Sequence, residues 1–200
     1  MNTAIVIILA YLIGSIPSGL WIGQLFYKTD IRKHGSGNLG ATNTFRVLGK
    51  KAGAVVTVMD ILKGTLATLL PTFAILSNSH VHPLVAGVIA VVGHMFPIFA
   101  KFRGGKAVAT SAGVLFGYHW PIFVILLIAF LLCLKAFKMV SLASMFAAVV
   151  AFIYGLTYAV LDQEYLLFAV VTALATFVIY RHRANIKRIK EGTEPKVTWI

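Results

Sequence analysis

The 200-residue chain is 59% hydrophobic and 12% charged, and its mean hydropathy is +0.88. These values lie outside the range of soluble globular domains and indicate a membrane protein. About seven spans of roughly 20 residues each would leave only about sixty residues for loops and termini, so no separate soluble domain fits. The formal charge of +12 suggests an anionic partner: lipid, nucleic acid or a phosphorylated substrate.

Six apolar segments follow one another along the chain. The first, residues 4–26, has no Lys or Arg before it and no small-residue cleavage site after it, so we expect a retained span rather than a cleaved signal. The others cover residues 53–76, 83–100, 107–134, 140–160 and 165–180.

The segment 107–134 is long for one helix, and the stretch from Gly117 to Pro121 in its middle is typical of a turn. We therefore expect two helices. The first, residues 107–117, would be roughly 16 Å long and too short to cross the bilayer. Because lipid cannot satisfy the backbone ends of such a helix, it must be shielded by protein or line a wet cavity open to the cytoplasm.

The distribution of basic residues predicts the topology. If residues 28–51 are cytoplasmic, later basic loops are also cytoplasmic only when residues 107–134 turn back near Pro121. Every Lys and Arg except Lys63 is then on the inner side. The sequence thus predicts an all-α polytopic membrane protein of seven transmembrane helices, including short or partial ones, with the N-terminus outside and the C-terminus cytoplasmic.

The first predicted cytoplasmic loop, from His34 to Arg46, is rich in Gly, Ser, Asn and Thr. Its glycines allow consecutive backbone N–H groups to point into one concavity, and a helix starting after them would add its positive end, so the loop could hold a phosphate. The alternative is a turn that merely needs positive φ. A dinucleotide site is disfavoured because no strand precedes the loop, and no P-loop motif occurs.

Two further basic clusters lie on the same predicted face. Residues 102–106 contain Arg103 and Lys106 just before the short helix, and residues 181–185 end the last span. We expect His182 and Asn185 to share one helix face at i and i+3. The basic residues that follow are equally typical of contact with anionic lipid. Three such clusters predict a site for one or more phosphorylated ligands beneath the inner leaflet.

A few polar side chains fall within or at the edges of the spans. Asp60 and Lys63, at i and i+3, either serve function or neutralise each other while supporting the loops. We expect His94 to make buried hydrogen bonds rather than to catalyse. Ser141 either reaches a cytoplasmic site or caps a helix. Cys133, the single cysteine, excludes an internal disulfide, and no metal site or cofactor is predicted.

Four motifs occur in order along the chain. They are Gly35-Ser36-Gly37-Asn38 with Gly40-Ala41, Asn43 and Arg46; Asp60-x-x-Lys63-Gly64; Gly93-His94-x-Phe96-Pro97 leading to Gly104-Gly105-Lys106; and Arg181-His182-x-x-Asn185. Together they resemble the acyl-phosphate-dependent glycerol-3-phosphate acyltransferases of bacterial membranes. The resemblance covers essentially the whole chain. One departure is Ala107, where the family usually continues with another glycine.

The resemblance implies one integral-membrane acyltransferase domain, residues 1–200, in the bacterial inner membrane with its active site on the cytoplasmic side. It would transfer a fatty acyl group from acyl phosphate to the 1-hydroxyl of glycerol 3-phosphate, forming lysophosphatidic acid and phosphate in phospholipid biosynthesis. By match, the substrate-binding residues would be Gly35, Ser36, Gly37, Asn38, Gly40, Ala41, Thr42, Asn43, Arg46, Lys106, Ser141, His182 and Asn185, and the catalytic ones Ser36, Lys106, His182 and Asn185.

Direct transfer fits the chemistry of this donor. Acyl phosphate is already an activated mixed anhydride, so positioning, cations and N–H donors suffice without an acyl-enzyme. We expect His182 to bind phosphate rather than to act as the general base. The expected partners are acyl phosphate, glycerol 3-phosphate and membrane lipid, without nucleic acid, cofactor or obligate protein partner.

The alternative is a transporter of phosphorylated or anionic solutes. Such a protein needs polar groups along a route across the membrane, and apart from Asp60 and Lys63 the spans offer few. An inverted repeat is not evident in the sequence either. A nucleic-acid binder is disfavoured because the basic clusters lack aromatic platforms.

Overall fold

The computed structural model describes residues 2–198, and within that range all regular secondary structure is helical. The predicted all-α class is confirmed. The chain divides after His119 into two compact units, which are described in turn. That residues 1–200 act as a single domain stays a prediction.

The first unit contains six α-helices and four short 3-10 helices. The α-helices are α1 (Asn2–Gly14), α2 (Ser18–Tyr27), α3 (Ala41–Leu48), α4 (Lys50–Leu69), α5 (Pro83–Met95) and α6 (Val108–Tyr118); the 3-10 helices are Ile31–Lys33, Leu70–Thr72, Ser77–Ser79 and Ile98–Ala100. The second unit contains α7 (Trp120–Phe137), α8 (Val140–Leu161), α9 (Tyr165–Arg181) and α10 (Arg183–Lys190).

Four of these segments are long and apolar enough to cross a membrane. They are Lys50–Thr72, Pro83–Ala100, Trp120–Phe137 and Val140–Leu161. Two bent pairs, α1 with α2 at 48° and α9 with α10 at 55°, raise the number to six if each pair is one span. Helix α6 has 11 residues and ends before His119, so the prediction of a short helix and a turn within residues 107–134 is confirmed.

Helix α4 shows how these helices meet lipid. Its exposed apolar residues Val55, Val58, Leu62 and Leu66 recur every three or four positions and form one stripe. The opposite face buries Asp60, together with Lys63 and several small residues. Apolar residues outside and charges inside are the arrangement expected where lipid is the solvent.

Small residues set the close packing within the first unit. A Cβ on Gly64 would overlap the carbonyl oxygen of Thr110, and one on Gly113 would overlap that of Ile61, so α4 and α6 approach backbone to backbone. The hydroxyl of Thr65 donates across this contact to the Gly113 carbonyl at 2.9 Å. Such contacts hold helices together where burial from water supplies no driving force.

The first predicted span is broken rather than continuous. Helix α1 ends at Gly14 and α2 begins at Ser18, because Pro17 lacks the N–H that a continuous helix would use. The break leaves backbone groups within the apolar region that need partners from neighbouring helices.

Helices α7, α8 and α9 pack in sequence within the second unit. Leu134 and Ala143, from α7 and α8, belong to one buried apolar cluster, and Val197 of the C-terminal segment packs against it. The backbone N–H of Val197 donates to the Lys138 carbonyl at 2.7 Å. The tail therefore folds back over the start of α8.

Candidate active site

The loop between α2 and α3 begins with a turn built on Asp30. Its carboxylate accepts the backbone N–H of Arg32 at 3.0 Å and three guanidinium hydrogen bonds at 2.6, 2.9 and 3.1 Å. These hydrogen bonds from Arg32 hold the pKa of Asp30 below its ordinary value. Ile31 is fully buried in an apolar cluster with Leu39 and Ala100, so the loop is anchored on the core of the unit.

Asn43 holds the glycine-rich stretch from within. It is 1% exposed, and its Oδ1 accepts the backbone N–H of Ser36 at 2.9 Å. Its Nδ2 donates to the carbonyls of Ile31 and His34, both at 3.1 Å. Gly35 has a φ of +59°, and a Cβ there would overlap the Asn43 amide. Both backbone conformation and space therefore require glycine at position 35.

The geometry of the loop corrects the expectation of consecutive N–H groups facing an open concavity. The N–H of Ser36 goes to Asn43, and that of Gly37 goes to the His34 carbonyl at 3.0 Å. The N–H of Gly40 goes to Asn38 Oδ1 at 2.8 Å. These donors are used because the loop must satisfy its own backbone. The positive end of α3, which begins at the next residue, can still attract an anion.

The second basic loop rests on the end of α5. The N–H of Gly104 donates to the Met95 carbonyl at 3.1 Å, and that of Gly105 donates to the His94 carbonyl at 3.2 Å. A Cβ on Gly105 would overlap the His94 imidazole, so the loop lies directly on that ring. Lys106 follows and is partly buried.

Ala107 is the N-cap of α6 and has a φ of +60°. This left-handed conformation suits glycine, which explains why the resemblance led us to expect a glycine at this position. In the first turn of α6, the hydroxyls of Thr110 and Ser111 are buried and have no hydrogen-bond partner among the described residues.

Asp60 and Lys63 form a buried ion pair at 2.8 Å, and both side chains hydrogen-bond to residues at the break between α1 and α2. Lys63 Nζ donates to the Ile16 carbonyl at 2.8 Å, and the Ser18 hydroxyl donates to Asp60 Oδ1 at 2.9 Å. His94 Nδ1 lies 3.7 Å from the same carboxylate oxygen. The pair thus satisfies polar groups at both ends of the break, and through His94 the network reaches the second basic loop.

The last basic cluster lies in the second unit, where the chain bends. His182 is the C-cap of α9 and the N-cap of α10, so it does not share a continuous helix face with Asn185 as expected. Its Nδ1 lies 2.7 Å from the Val178 carbonyl oxygen. A carbonyl only accepts, so Nδ1 carries the hydrogen of this contact.

The Glu194 carboxylate gathers three donors at this end of the second unit. Its Oε1 accepts from the Ser141 hydroxyl and from Asn185 Nδ2, both at 2.6 Å, and its Oε2 accepts from Arg188 Nε at 2.7 Å. Burial would raise the pKa of Glu194, but these hydrogen bonds outweigh it and hold the pKa below its ordinary value. Glu194 is therefore an ionised carboxylate with 5% of its side chain exposed.

The predicted site residues divide between the two units. The first unit holds Gly35, Ser36, Gly37, Thr42 and Arg46 exposed; Asn38, Gly40, Ala41 and Lys106 partly buried; and Asn43 buried, whereas the second holds Ser141, His182 and Asn185 buried. Within the first unit, the cluster of Ile31, Leu39 and Ala100 brings the glycine-rich loop next to the segment before the second basic loop. That all three clusters meet around substrate stays a prediction.

Sequence reasoning missed Asp30 and Glu194. Both belong to a set of only six acidic residues in the chain, and both lie beside basic residues that they pair with. The scarcity of carboxylates in so basic a chain was the signal that could have identified them.

The fold and these polar clusters define a multi-pass membrane protein with anion-binding features. The family model described as "Glycerol-3-phosphate acyltransferase" matches residues 4–192. Curated glycerol-3-phosphate acyltransferases from Listeria monocytogenes serovar 1/2a and Bacillus subtilis are each 58% identical over 200 residues, covering all of this chain and 99% and 100% of their own lengths.

Two crystal structures of an integral membrane glycerol 3-phosphate acyltransferase are also similar. The glycerol 3-phosphate form has a TM-score of 0.88 at 36% identity, and the lysophosphatidic acid form has a TM-score of 0.85 at 35% identity. Both alignments cover 99% of this chain and 96% of the other. The chain therefore belongs to the glycerol-3-phosphate acyltransferase family, as the resemblance indicated.

Proposed function

We propose that this glycerol-3-phosphate acyltransferase takes its acyl group from acyl phosphate and transfers it directly to the 1-hydroxyl of glycerol 3-phosphate. The observation that carries the proposal is the loop from Gly35 to Asn43, which ends at the positive end of α3 on the same unit as Lys106. Such a loop suits a donor whose leaving group is a phosphate. The chain has one cysteine, Cys133, which is buried, so a thioester intermediate has no suited nucleophile there.

The reaction balances without a protein nucleophile. The hydroxyl oxygen attacks the acyl carbon, the bond from that carbon to the phosphate oxygen breaks, and the hydroxyl proton leaves with phosphate or through a base. We propose that the Ser36–Asn43 loop holds the donor phosphate, while Arg46, Lys106, Ser141, His182 and Asn185 bind the acceptor. Ser36, Lys106, His182 and Asn185 are the proposed catalytic residues. Cations and N–H donors offset charge as the tetrahedral oxyanion forms.

His182 fits the role of a phosphate ligand. The hydrogen bond from Nδ1 to the Val178 carbonyl fixes the orientation of the ring, which suits a side chain that holds a substrate in place. Arg181 and Arg183 flank it and favour anions nearby. We propose that His182 binds and orients substrate rather than removing the hydroxyl proton.

We propose seven crossings, with the N-terminus outside and the C-terminus and active site facing the cytoplasm of a bacterial inner membrane. The support is the separation of α6 from α7 at His119. By the positive-inside rule, a turn there would put Lys135 and Lys138 on the cytoplasmic side with the other basic loops. In a Cys133→Ala background, a cysteine at Asn78 should react with an impermeant maleimide in intact cells. One at Lys190 should react only after permeabilisation; the reverse pattern would contradict the topology.

The function is tested with purified protein in detergent. Supplied with acyl phosphate and glycerol 3-phosphate, the protein should form lysophosphatidic acid and phosphate in equal amounts without added cofactor or protein partner. A transporter would form no product in the absence of a compartment. Product formed only with a different acyl donor would refute the proposed donor while leaving the family assignment intact.

A further inference from the structure

The His94 side chain lies between the buried carboxylate of α4 and the second basic loop, residues 102–106. Its Nδ1 faces Asp60, 3.7 Å from Oδ1. On the other side of the ring, a Cβ on Gly105 would meet Nε2 before any other atom. The side chain of His94 is only 8% exposed. The imidazole is therefore a buried link between a charged group of the spans and the backbone of the loop.

The backbone of His94 is fixed from a different direction. A Cβ on Gly93 would overlap the carbonyl oxygen of Tyr11 in α1, so α5 lies against α1 at the residue before His94. The His94 carbonyl in turn accepts the N–H of Gly105 at 3.2 Å. The loop thus takes its position from a segment that cannot shift without moving against α1.

The carboxylate of Asp60 favours one orientation of the ring. Its Oδ1 accepts from the Ser18 hydroxyl at 2.9 Å and lies 2.8 Å from Lys63 Nζ, so the carboxylate is itself held in place. Asp60 is 2% exposed, and its attraction for an imidazole N–H is therefore little screened by water or salt. With Nδ1 toward Asp60, the ring presents Nε2 to Gly105.

Lys106 lies between this contact and the start of α6. Gly105 precedes it, and Ala107, which follows, is the N-cap of α6. Helix α6 is itself fixed by its backbone contact with α4. The backbone of Lys106 is therefore held on both sides, by the His94 ring before it and by α6 after it. Loss of the His94 contact would release the first side alone.

We propose that His94 is a positioning residue which, held by Asp60, supports the second basic loop and so places Lys106 for the acceptor substrate. The inference rests on the proposed function, in which Lys106 binds glycerol 3-phosphate. It adds that the buried network of Asp60, Lys63 and His94 sets the affinity for the acceptor through the backbone of the loop.

The test measures binding of glycerol 3-phosphate to purified protein by calorimetry, without acyl donor. Lys106→Ala should raise Kd about ten- to a hundredfold, the loss expected when a charged hydrogen bond is removed. His94→Leu should raise Kd about five- to tenfold, because Lys106 is then misplaced rather than absent. In a Lys106→Ala background, His94→Leu should add less than about twofold, since it acts through Lys106. Losses that multiply in the double variant would overturn the proposal.

His94→Gln tests the contact with Asp60. Leucine offers no N–H to the carboxylate, whereas the glutamine amide keeps a donor. Kd for glycerol 3-phosphate in His94→Gln should therefore stay within about threefold of wild type. Equal losses in His94→Gln and His94→Leu would contradict a role for Asp60 in holding the ring.

Thr68→Val is the matched control in the same unit. Thr68 is fully buried in α4, and its hydroxyl donates to the Gly64 carbonyl at 2.9 Å. Valine keeps the shape and removes the hydroxyl, so Kd should stay within about twofold of wild type. An increase equal to that of His94→Leu would mean that any polar change in this core weakens binding, and would overturn the specific role of His94.

Two variants of the ion pair separate positioning from stability. Lys63→Met leaves the Asp60 carboxylate facing His94, whereas Lys63→Met combined with Asp60→Asn removes its charge. The double variant should unfold at the higher temperature, yet bind glycerol 3-phosphate about threefold or more weakly than Lys63→Met alone. Binding that followed stability instead would assign the network to the fold alone and overturn the proposal.

The outcomes distinguish this inference from the proposed function. If Lys106→Ala binds glycerol 3-phosphate as wild type does, the role that the proposed function gives to Lys106 fails. If Lys106→Ala weakens binding and His94→Leu does not, only the inference fails. Should His94→Leu not fold, the comparison of the two ion-pair variants decides the positioning role by itself.

Discussion

Replacement of Asn43 tests whether the glycine-rich loop depends on a buried amide. Asn43→Ala removes three hydrogen bonds: one from the Ser36 N–H and two to the carbonyls of Ile31 and His34. At about 1 kcal/mol each, the loss is about 3 kcal/mol against the ordered loop. Because 1.4 kcal/mol corresponds to a factor of ten, the ordered conformation can lose up to about a hundredfold in population.

Asn43→Asp separates hydrogen bonding from size. The aspartate keeps an acceptor for Ser36 but turns a second oxygen toward two carbonyl oxygens, so it should be no better than alanine. We expect kcat/KM for acyl phosphate to fall at least tenfold in both variants. Asn78→Ala, an exposed amide in a different loop, should leave it unchanged.

Hydrogen exchange in substrate-free protein distinguishes positioning from direct contact. If Asn43 orders the loop, the amide of Ser36 should exchange faster in Asn43→Ala before any substrate is added. A kcat/KM within threefold of wild type would refute the role of the buried amide. An exchange rate at Ser36 equal to that of wild type, with activity lost, would place Asn43 in contact with substrate instead.

Three further predictions concern stability, measured as thermal unfolding in detergent. Lys63→Met leaves Asp60 buried without its partner and should lower the free energy of unfolding by about 3–5 kcal/mol. Adding Asp60→Asn should restore part of this loss, and no restoration would contradict the ion-pair account. Ala107→Val places a β-branched residue at a φ of +60° and should destabilise the protein by about 2 kcal/mol or more. Ala107→Gly should change stability by less than about 1 kcal/mol, and equal effects of the two substitutions would contradict the strain argument. Because the folded pKa of Glu194 is lowered, its contribution is complete above the ordinary pKa of about 4.3 and is lost as pH falls through the folded value. The stability of wild type should therefore approach that of Glu194→Gln as the pH falls. A stability difference that stays constant down to pH 3 would contradict a lowered pKa for Glu194.

The helical architecture was predictable because hydropathy and charge report the environment of whole segments. The short α6 and its separation from α7 followed from the aromatic turn before Pro121 and from the placement of Lys135 and Lys138. The break between α1 and α2 did not follow, since the segment reads as continuously apolar. Its partners, Lys63 and Asp60, come from a distant helix and were recognised only as a pair.

The site was predictable as to residue types but not as to their hydrogen bonds. Asn43 reads as a substrate ligand in the sequence, yet its side-chain hydrogen bonds to Ser36, Ile31 and His34 all go to the backbone of its own loop. Glu194 lies 53 residues from Ser141, and nothing local signals their contact. The chain bends at His182, whose ring hydrogen-bonds back to the Val178 carbonyl, and helical periodicity reports neither feature.

Direct acyl transfer is tested most directly by rapid-quench intact-mass measurement. Purified protein is mixed with acyl phosphate, with and without glycerol 3-phosphate, and quenched in acid within the first turnover. We predict protein of unmodified mass at every time point, while lysophosphatidic acid and phosphate appear together. A protein species heavier by one acyl group, formed before product and consumed when glycerol 3-phosphate is added, would contradict direct transfer.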